Sequence, residues 1–303
     1  MNIETLKVFC DIVRFHSFSR AAQENGISQS AASQSLVQIE KTLGAVLIDR
    51  KTRPFQLTAE GNAYYNGVKD LVVRYFAVEN EVRNLKGEIR GDVRVAAIYS
   101  VGLAEISSSI QQFTWNYPGT NVKLAFLHPD RVYESVLNDE ADIGLISWPE
   151  KRREIESVVW KTEPLVIIAA PGQLQAHDGK IQKDDLMGQR FVGYDKNLLI
   201  QKEIERYLSR NDIVVDTVMS FDNIETIKRA VEIGGGFSLV PEPLVRNEVR
   251  LGSLEAFDLP GSGINRPVGI IFRKNRPLLR ATEVFMELLQ EQSRTSKSVR
   301  KAA

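Results

Sequence analysis

Two groups of side chains in residues 1–57 have chemistry suited to nucleic acids. The first group is polar and uncharged and consists of Gln29, Ser30, Ser33 and Gln34. The second is basic and consists of Arg50, Lys51 and Arg53. Glutamine pairs bidentately with adenine N6 and N7 and serine reaches several base edges, whereas arginine and lysine contact phosphates or enter a minor groove. Together they indicate a duplex-binding surface that reads bases with one part and positions the protein with the other.

A second candidate site lies at the ends of strand-like segments in the rest of the chain. Its members are Ser100, Val101, Gly102, His128, Ser147 and Asn197. Hydroxyl groups and the free N–H groups of a helix N-terminus bind small anions, so we expect these residues to hold a small-molecule ligand. Taken singly, Ser100 also fits an ordinary helix N-cap and His128 an ordinary polar contact, and both interpretations stay open.

Enzymatic chemistry has little support in the sequence. His16, His128 and His177 stand in unrelated segments, without a nucleophile elbow, Walker loop, dinucleotide fingerprint or metal-spaced cluster. The glycines at 234–236 lie between a predicted helix and a predicted strand, which is the reverse of the order that a phosphate loop requires. We therefore expect no catalytic activity, no bound metal and no cofactor other than the small-molecule ligand.

The composition is that of a globular chain of two or three domains, with 303 residues of which 43% are hydrophobic. Its 39 basic and 39 acidic residues balance, so any attraction to a polyanion has to be local. Cys10 is the single cysteine, which excludes an internal disulfide and a cysteine-rich zinc site. The first residues lack the pattern of a signal peptide and no apolar stretch approaches a membrane span, so we expect a cytoplasmic protein without membrane contact.

The polar group falls on the third of three predicted helices, which cover residues 4–15, 20–24 and 29–43. Ser17 and Ser28 precede the second and third helices as N-caps, and glycines end both helices. Apolar residues with helical spacing define the buried side of the third helix: Ala32, Leu36, Ile39 and Leu43. This pattern predicts a helix-turn-helix. An ordinary solvated amphipathic helix has the same pattern, so the neighbouring elements decide between the two interpretations.

The basic group occupies the tip of a predicted β-hairpin at 45–57, placed like a wing that contacts DNA beside a recognition helix. A long helix follows from its N-cap Thr58 to about residue 86. Its apolar residues alternate at intervals of four and three: Tyr64, Val68, Leu71, Tyr75, Val78, Val82 and Leu85. Such a coiled-coil seam predicts dimerisation through this helix, with packing on the chain's own body as the alternative.

These elements predict a winged helix-turn-helix domain at 1–58, a linker and dimerisation helix at 59–90 and a ligand-binding domain at 91–303. In the last, strands and helices alternate in βαβ order, which predicts a mostly parallel sheet with helices on both faces. We expect lobe one to comprise 91–162 and 266–303, and lobe two to comprise 163–265. A ligand then belongs in the cleft between the lobes, at the carboxyl ends of the strands.

Several short motifs sharpen this interpretation. The specific ones are SFSRAA at 17–22, ISQSAAS at 27–33, LG at 43–44, LIDR at 47–50 and LTAEG at 57–61. Weaker ones are ADIG at 141–144 and VEIGGGFSLVP at 231–241. Along nearly its whole length the sequence resembles LysR-type transcriptional regulators. The resemblance implies a multidomain α and α/β protein with a winged helix-turn-helix, a long linker helix and a two-lobed effector domain like type II periplasmic binding proteins.

The resemblance also assigns site residues. It maps the family's DNA contacts onto Gln29, Ser30, Ser33, Gln34, Arg50 and Arg53, and its co-inducer corner onto Ser100 and Gly102. Many members have proline in place of Ser30 and arginine in place of Gln34, so this helix lacks one guanine or phosphate donor. Members commonly assemble as tetramers on interrupted palindromes. The resemblance therefore implies a homodimer or homotetramer on double-stranded DNA, with RNA polymerase as a further candidate partner.

We therefore predict a sequence-specific DNA-binding transcription regulator that is not an enzyme and is controlled by a small anionic co-inducer in the inter-lobe cleft. A solute-binding protein is the first rival, and it is disfavoured because it has no use for residues 1–86. An enzyme acting in the cleft is the second. Steeply salt-dependent duplex binding separates the regulator from the solute-binding protein. Turnover that is lost on substitution of Ser100 or His128 would favour the enzyme.

Overall fold

The N-terminal domain is built from three helices and a small hairpin in the computed structural model, which describes residues 2–50, 52, 54–84, 89–101 and 103–302. Its elements are α1 (Ile3–Phe15), α2 (Phe18–Glu24), α3 (Gln29–Leu43), β1 (Ile48–Asp49) and β2 (Gln56–Leu57). Ser17 and Ser28 cap α2 and α3 as predicted, each accepting a hydrogen bond from the backbone N–H three residues on. Phe9 and Leu36 are fully buried where the helices meet, whereas Leu43, predicted to be buried, is exposed.

A long helix, α4 (Ala59–Asn84), follows the hairpin and begins at the predicted cap. The Thr58 hydroxyl accepts from the N–H of Gly61 at 2.9 Å and donates to the carbonyl of Val46 at 2.7 Å. Gly61 is buried, and a Cβ at this position would lie 1.9 Å from the carbonyl oxygen of Leu47. The first turn of α4 is therefore pressed against the backbone of the hairpin, and only glycine permits that approach.

The rest of the chain forms two lobes around separate cores. Lobe one contains β3 (Gly91–Ile98), α5 (Leu103–Asn116), β4 (Thr120–Leu127), α6 (Pro129–Leu137), β5 (Ile143–Ser147) and the returning α10 (Arg280–Ala302). Its core includes Phe113 and Phe285, whose ring centroids lie 5.1 Å apart. Lobe two contains β7 (Arg190–Tyr194), α7 (Leu199–Arg210), β8 (Asp216–Phe221), α8 (Ile224–Glu232), β9 (Ser238–Pro241), α9 (Arg246–Leu251) and β10 (Glu255–Asp258).

Two long strands join the lobes: β6 (Ile155–Ala169) and β11 (Asn265–Arg273). They are antiparallel neighbours in a seven-stranded sheet of order β10-β6-β11-β5-β3-β4, and β9 also pairs with β6. Only β3 with β4 and β3 with β5 are parallel pairs in this sheet. The prediction of a mostly parallel sheet is therefore wrong for this sheet, because both crossing strands are long enough to join it and run opposite to their neighbours. In lobe two, β7 and β8 do pair in parallel.

The winged helix-turn-helix domain contacts lobe one. The Lys123 ammonium on β4 lies 2.9 Å from the Glu24 carboxylate on α2 and also 2.9 Å from Asp92. A cavity of about 450 Å³ lies beside this contact, lined by both hydrophobic and charged side chains, among them Cys10 and Arg94. The pair of Lys123 with Glu24 thus joins the two domains, and the cavity lies at the same boundary.

Candidate functional site

The polar group predicted to read bases lies on the N-terminal half of α3. Gln29, Ser30 and Gln34 are exposed, and Ser33 is half-buried. Ser28 accepts from the N–H of Ala31 at 3.1 Å, and its hydroxyl lies 2.8 Å from that of Ser30. This face of α3 is thus free to approach a surface, with Ser30 held by the cap and the two glutamine amides available for base edges.

The wing stands beside α2, where aromatic and ionic contacts hold it. Phe55 and Phe18 have ring centroids 5.5 Å apart, and the Arg50 guanidinium lies 5.4 Å from the Phe18 ring centroid. The Glu40 carboxylate on α3 accepts from the N–H of Leu47 at 2.8 Å, which ties the wing to the recognition helix. Arg50 is exposed at this edge. Lys51 and Arg53 lie outside the described residues.

Two positioning residues in this domain were not predicted. Glu40 holds the wing as described above, and Asn25 joins α2 to α1. The Asn25 amide donates to the Asp11 carboxylate at 2.8 Å, and its oxygen accepts from the Lys7 ammonium at 2.7 Å. The sequence suggested for Asn25 only the end of a helix, and its partners are 14 and 18 residues away.

The predicted seam on α4 divides into two parts. Tyr64 and Val68 pack against the core of the winged helix-turn-helix domain, where Tyr64 and Phe9 have ring centroids 5.5 Å apart. Further along, large apolar side chains are exposed: Leu71, Tyr75, Val78 and Val82. Leu85 lies outside the described residues. The chain itself covers the first part of the seam, and the part left for a partner begins at Leu71.

A cleft of about 430 Å³ opens between the lobes. Four of the predicted ligand-binding residues line it together: Ser100, His128, Ser147 and Asn197. Val101 does not, because its side chain is fully buried in the core of lobe one and its N–H donates to the carbonyl of Ile98 at 3.0 Å. Gly102 lies outside the described residues. His128 precedes α6 without capping it through its side chain and is half-exposed, with Nδ1 3.7 Å from the Asp130 carboxylate.

Behind Ser100 stands a buried charged cluster that was not predicted. The guanidinium of Arg266, which is fully buried, donates to the Ser100 hydroxyl at 2.8 Å and to the Ser100 carbonyl at 2.8 Å. It also donates to the Glu163 carboxylate at 2.9 Å, and Lys161 lies 2.7 Å from the other oxygen of that carboxylate. Glu163 and Arg266 face each other in the pairing of β6 with β11. The signal in the sequence was weak, since Glu163 and Arg266 are charged residues next to long apolar runs, VVW and LVIIA in one strand and VGIIF in the other.

The electrostatics of this cluster favour ionised partners. Burial alone would raise the pKa of Glu163, but Arg266 and Lys161 outweigh burial and hold the pKa below its usual value of 4.5. Burial lowers the pKa of Lys161, and Glu163 opposes that shift. Two basic groups, Arg266 and Lys161, thus share the Glu163 carboxylate behind Ser100.

The wider lining of the cleft does not select the sign of a ligand. Its charged residues are Asp130, Glu150, Arg152, Lys202 and Asp222. Arg152 is occupied, since it donates to Glu150 at 3.1 Å and its guanidinium lies 3.6 Å from the Tyr133 ring centroid. The floor of the cleft differs from this lining, because the Arg266 guanidinium contacts Ser100 there. Among the residues that the structure describes, no cluster could hold a metal ion and no helix could span a membrane.

Comparison with known sequence families gives two matches that together cover most of the chain. The family described as "Bacterial regulatory helix-turn-helix protein, lysR family" matches residues 3–62. The family described as "LysR substrate binding domain" matches residues 86–294. A similar curated protein is the "Probable RuBisCO transcriptional regulator" of Cyanidium caldarium, 30% identical over 292 residues that make up 93% of this chain and 91% of that protein.

Solved structures share the fold over the whole chain or over its two-lobed part. Full-length CbnR complexed with its target DNA is 18% identical, with a TM-score of 0.59 over 97% of this chain and 100% of that chain. The CcmR regulatory domain of Synechocystis PCC6803 in complex with 2-PG is 22% identical, with a TM-score of 0.61 over 67% of this chain and 98% of that chain. The predicted fold class, a winged helix-turn-helix followed by a two-lobed domain, is confirmed.

Proposed function

Because this chain belongs to the LysR family of DNA-binding transcription regulators, we propose that α3 and the wing bind an interrupted palindromic operator under the control of a small anionic co-inducer in the inter-lobe cleft. The observation that carries the proposal is the exposed face of α3, with Gln29 and Gln34 outward and Arg50 on the adjoining wing. The protein acts without catalysing a reaction, in the cytoplasm where the DNA lies.

The division of labour on this surface is testable with two substitutions. Gln29→Ala removes a base contact worth about 1–3 kcal/mol, so it should reduce discrimination between cognate and mutated duplexes by a factor of about 5 to 150. Arg50→Ala removes a phosphate contact, so it should weaken all duplexes similarly and lower the salt slope by about one. Fluorescence anisotropy on duplexes selected from a random library measures both. Equal, uniform losses in the two variants would contradict base reading by Gln29.

We further propose that two copies associate through the exposed part of the seam on α4, as homodimers or as dimers paired into tetramers. Four large apolar side chains on one helix stay accessible in the single chain, and covering them takes a second helix of the same spacing. Two copies place two α3 helices on two half-sites, which matches a palindromic operator. RNA polymerase is a natural further partner of a protein bound in this way beside a promoter.

For the co-inducer, the support is the contact of the buried Arg266 with Ser100 and the 2-PG bound to the regulatory domain of CcmR. A ligand held between the lobes changes their closure, and with it the spacing of paired winged domains. Quantitative footprinting with and without 2-PG, on the wild type and on Ser100→Ala, tests the coupling. The footprint should change with ligand in the wild type only. A footprint that responds to no small anion would contradict control through the cleft.

A further inference from the structure

The Ser100 hydroxyl lies at the floor of the cleft, and the guanidinium of Arg266 behind it determines which hydrogen bonds it can make. Arg266 donates to the Ser100 oxygen, so that oxygen already serves as an acceptor. Among the hydrogen bonds of the described residues, the Ser100 hydroxyl has no acceptor for its own proton. A serine held in this way presents a proton donor to the cleft, and a proton donor that itself accepts from a guanidinium favours an oxyanion.

A second hydroxyl belongs to lobe two. Tyr194, the last residue of β7, lines the same cleft, and its side-chain hydroxyl is buried with no hydrogen-bond partner among the residues that the structure describes. Burial raises the pKa of Tyr194, with Arg266 opposing the shift, so the phenol keeps its proton and can act as a donor. A buried hydroxyl without a partner costs free energy, and such groups in native proteins are usually completed by water, an ion or a ligand.

We propose that Ser100 of lobe one and Tyr194 of lobe two both donate to a single compact oxyanion, a carboxylate or a phosphate group of the co-inducer. Arg266 is the positioning residue of this site. It fixes Ser100 through two hydrogen bonds and is itself fixed by Glu163 on the neighbouring crossing strand. Because the two donors belong to different lobes, the oxyanion ties the lobes together. This inference rests on the proposed function in one respect, namely that the cleft binds the co-inducer.

The test uses the full chain and compares inorganic phosphate with acetate, at constant ionic strength maintained with chloride. Tyr194→Phe removes only the hydroxyl. Without anion this variant should be as stable as the wild type or more stable, since an unsatisfied buried group is lost. Its affinity for the oxyanion should fall about tenfold, which is the usual effect of losing one hydrogen bond to a charged group. Calorimetric titration and anion-induced shifts in Tm measure both effects.

Tyr207→Phe is the matched control, because it removes a tyrosine hydroxyl from the same lobe that does have a partner. The Tyr207 hydroxyl donates to the carbonyl of Pro260 at 2.6 Å, outside the cleft lining. This variant should lose stability without anion and keep its full response to the oxyanion. Tyr194→Phe is thus expected to lower the affinity for the oxyanion but not the stability, and Tyr207→Phe is expected to lower the stability but not the affinity.

The positioning role of Arg266 has its own test. Arg266→Lys keeps the positive charge but not the fork that contacts both Ser100 and Glu163, whereas Arg266→Gln loses the charge as well. At a temperature where both are folded, the lysine variant should retain part of the response to phosphate and the glutamine variant none. Equal responses in these two variants would show that Arg266 serves folding alone and would overturn its positioning role.

The outcomes separate the inference from the function on which it rests. If Tyr194→Phe responds to phosphate and acetate like the wild type while Ser100→Ala does not, the assignment of Tyr194 is wrong and the cleft remains a ligand site. If neither anion binds the wild type, the oxyanion site is wrong, whatever the footprinting with 2-PG shows. The difference between the phosphate and acetate affinities identifies which of the two groups the site prefers.

Discussion

Two glycines in the same helix should respond in opposite ways to the same substitution. Gly67 on α4 is exposed, and a Cβ there would meet nothing within 4 Å. Alanine at this position should stabilise the helix by about 1 kcal/mol, since it restricts the unfolded chain and strengthens helix propensity. Gly61, two turns earlier, is buried against the carbonyl of Leu47, which a Cβ would approach to 1.9 Å.

Gly61→Ala has the same propensity gain but forces the first turn of α4 away from the wing. Overpacking of this kind costs about 1–3 kcal/mol, and the upper end applies because the obstacle is backbone rather than a flexible side chain. After the propensity gain of about 1 kcal/mol, the net destabilisation is about 2 kcal/mol. Arg50 moves with the wing, so duplex binding should weaken as well. Gly67→Ala should leave duplex binding unchanged.

Hydrogen exchange is the suitable assay, because Trp115, Trp148 and Trp160 all lie in the two-lobed domain and tryptophan fluorescence does not report on the wing. Amides of the wing and of the start of α4 should exchange up to about thirtyfold faster in Gly61→Ala, and about fivefold slower in Gly67→Ala if they open together with α4. Gly61→Ala with wild-type exchange and wild-type duplex affinity would refute the close packing of α4 on the wing.

Three further predictions concern the seam, the ion pair between β6 and β11, and the junction of α1 with α2. Val78→Glu should shift the protein toward monomers in sedimentation, because it places a charge on the exposed part of the seam. Val214→Glu replaces an exposed valine on lobe two and should leave the oligomeric state unchanged. If both variants or neither of them dissociates, association through the seam is contradicted. Glu163→Gln should destabilise by about 3–5 kcal/mol at neutral pH, because Arg266 is left buried and unpaired. Since the pKa of Glu163 in the folded state lies below 4.5, its stabilisation is complete above that pH and is lost as the pH falls through the folded value. The gap in Tm between wild type and variant should therefore close in acid, and a constant gap refutes the ion pair. Asn25→Ala should cost about 1–3 kcal/mol in thermal unfolding followed by circular dichroism, since Asp11 loses a donor, and unchanged stability would count against that bond.

The winged helix-turn-helix domain was the most predictable part of the fold, because its signals are local. Caps such as Ser17, Ser28 and Thr58 act within one helical turn, and the apolar spacing of α3 marks its buried side without reference to distant residues. The heptad spacing of α4 was equally visible. Spacing alone, however, does not tell which surface covers a stripe, so Tyr64 and Val68 were assigned to a partner although the chain's own core holds them.

The location of the cleft was predictable, but the contacts that position its residues were not. Strand ends marked Ser100 and His128, whereas Val101 was misplaced because the turn after β3 directs its side chain into the core. The partners Glu163 and Arg266 are 103 residues apart, and only the register of β6 with β11 brings them together. Nothing in the sequence singled out Tyr194 among the aromatic residues of the strands, because whether its hydroxyl has a hydrogen-bond partner depends on how the interior packs. The short elements α9 and β10 also lacked a periodic signal.

The cavity between the winged helix-turn-helix domain and lobe one makes the reactivity of a single cysteine a probe of the contact between these domains. Cys10, the single thiol of the chain, lines this cavity, and burial raises its pKa to about 12, with Asp11 and, across the domain boundary, Asp139 adding to the shift. Only thiolate reacts with alkylating agents, so the docked protein is nearly inert at neutral pH. Separation of the domains takes Asp139 away from Cys10 and so removes one of the groups that raise the pKa. The alkylation rate of Cys10, compared with and without ligand and operator, is therefore expected to rise when the two domains separate, and a constant rate would indicate that they stay together.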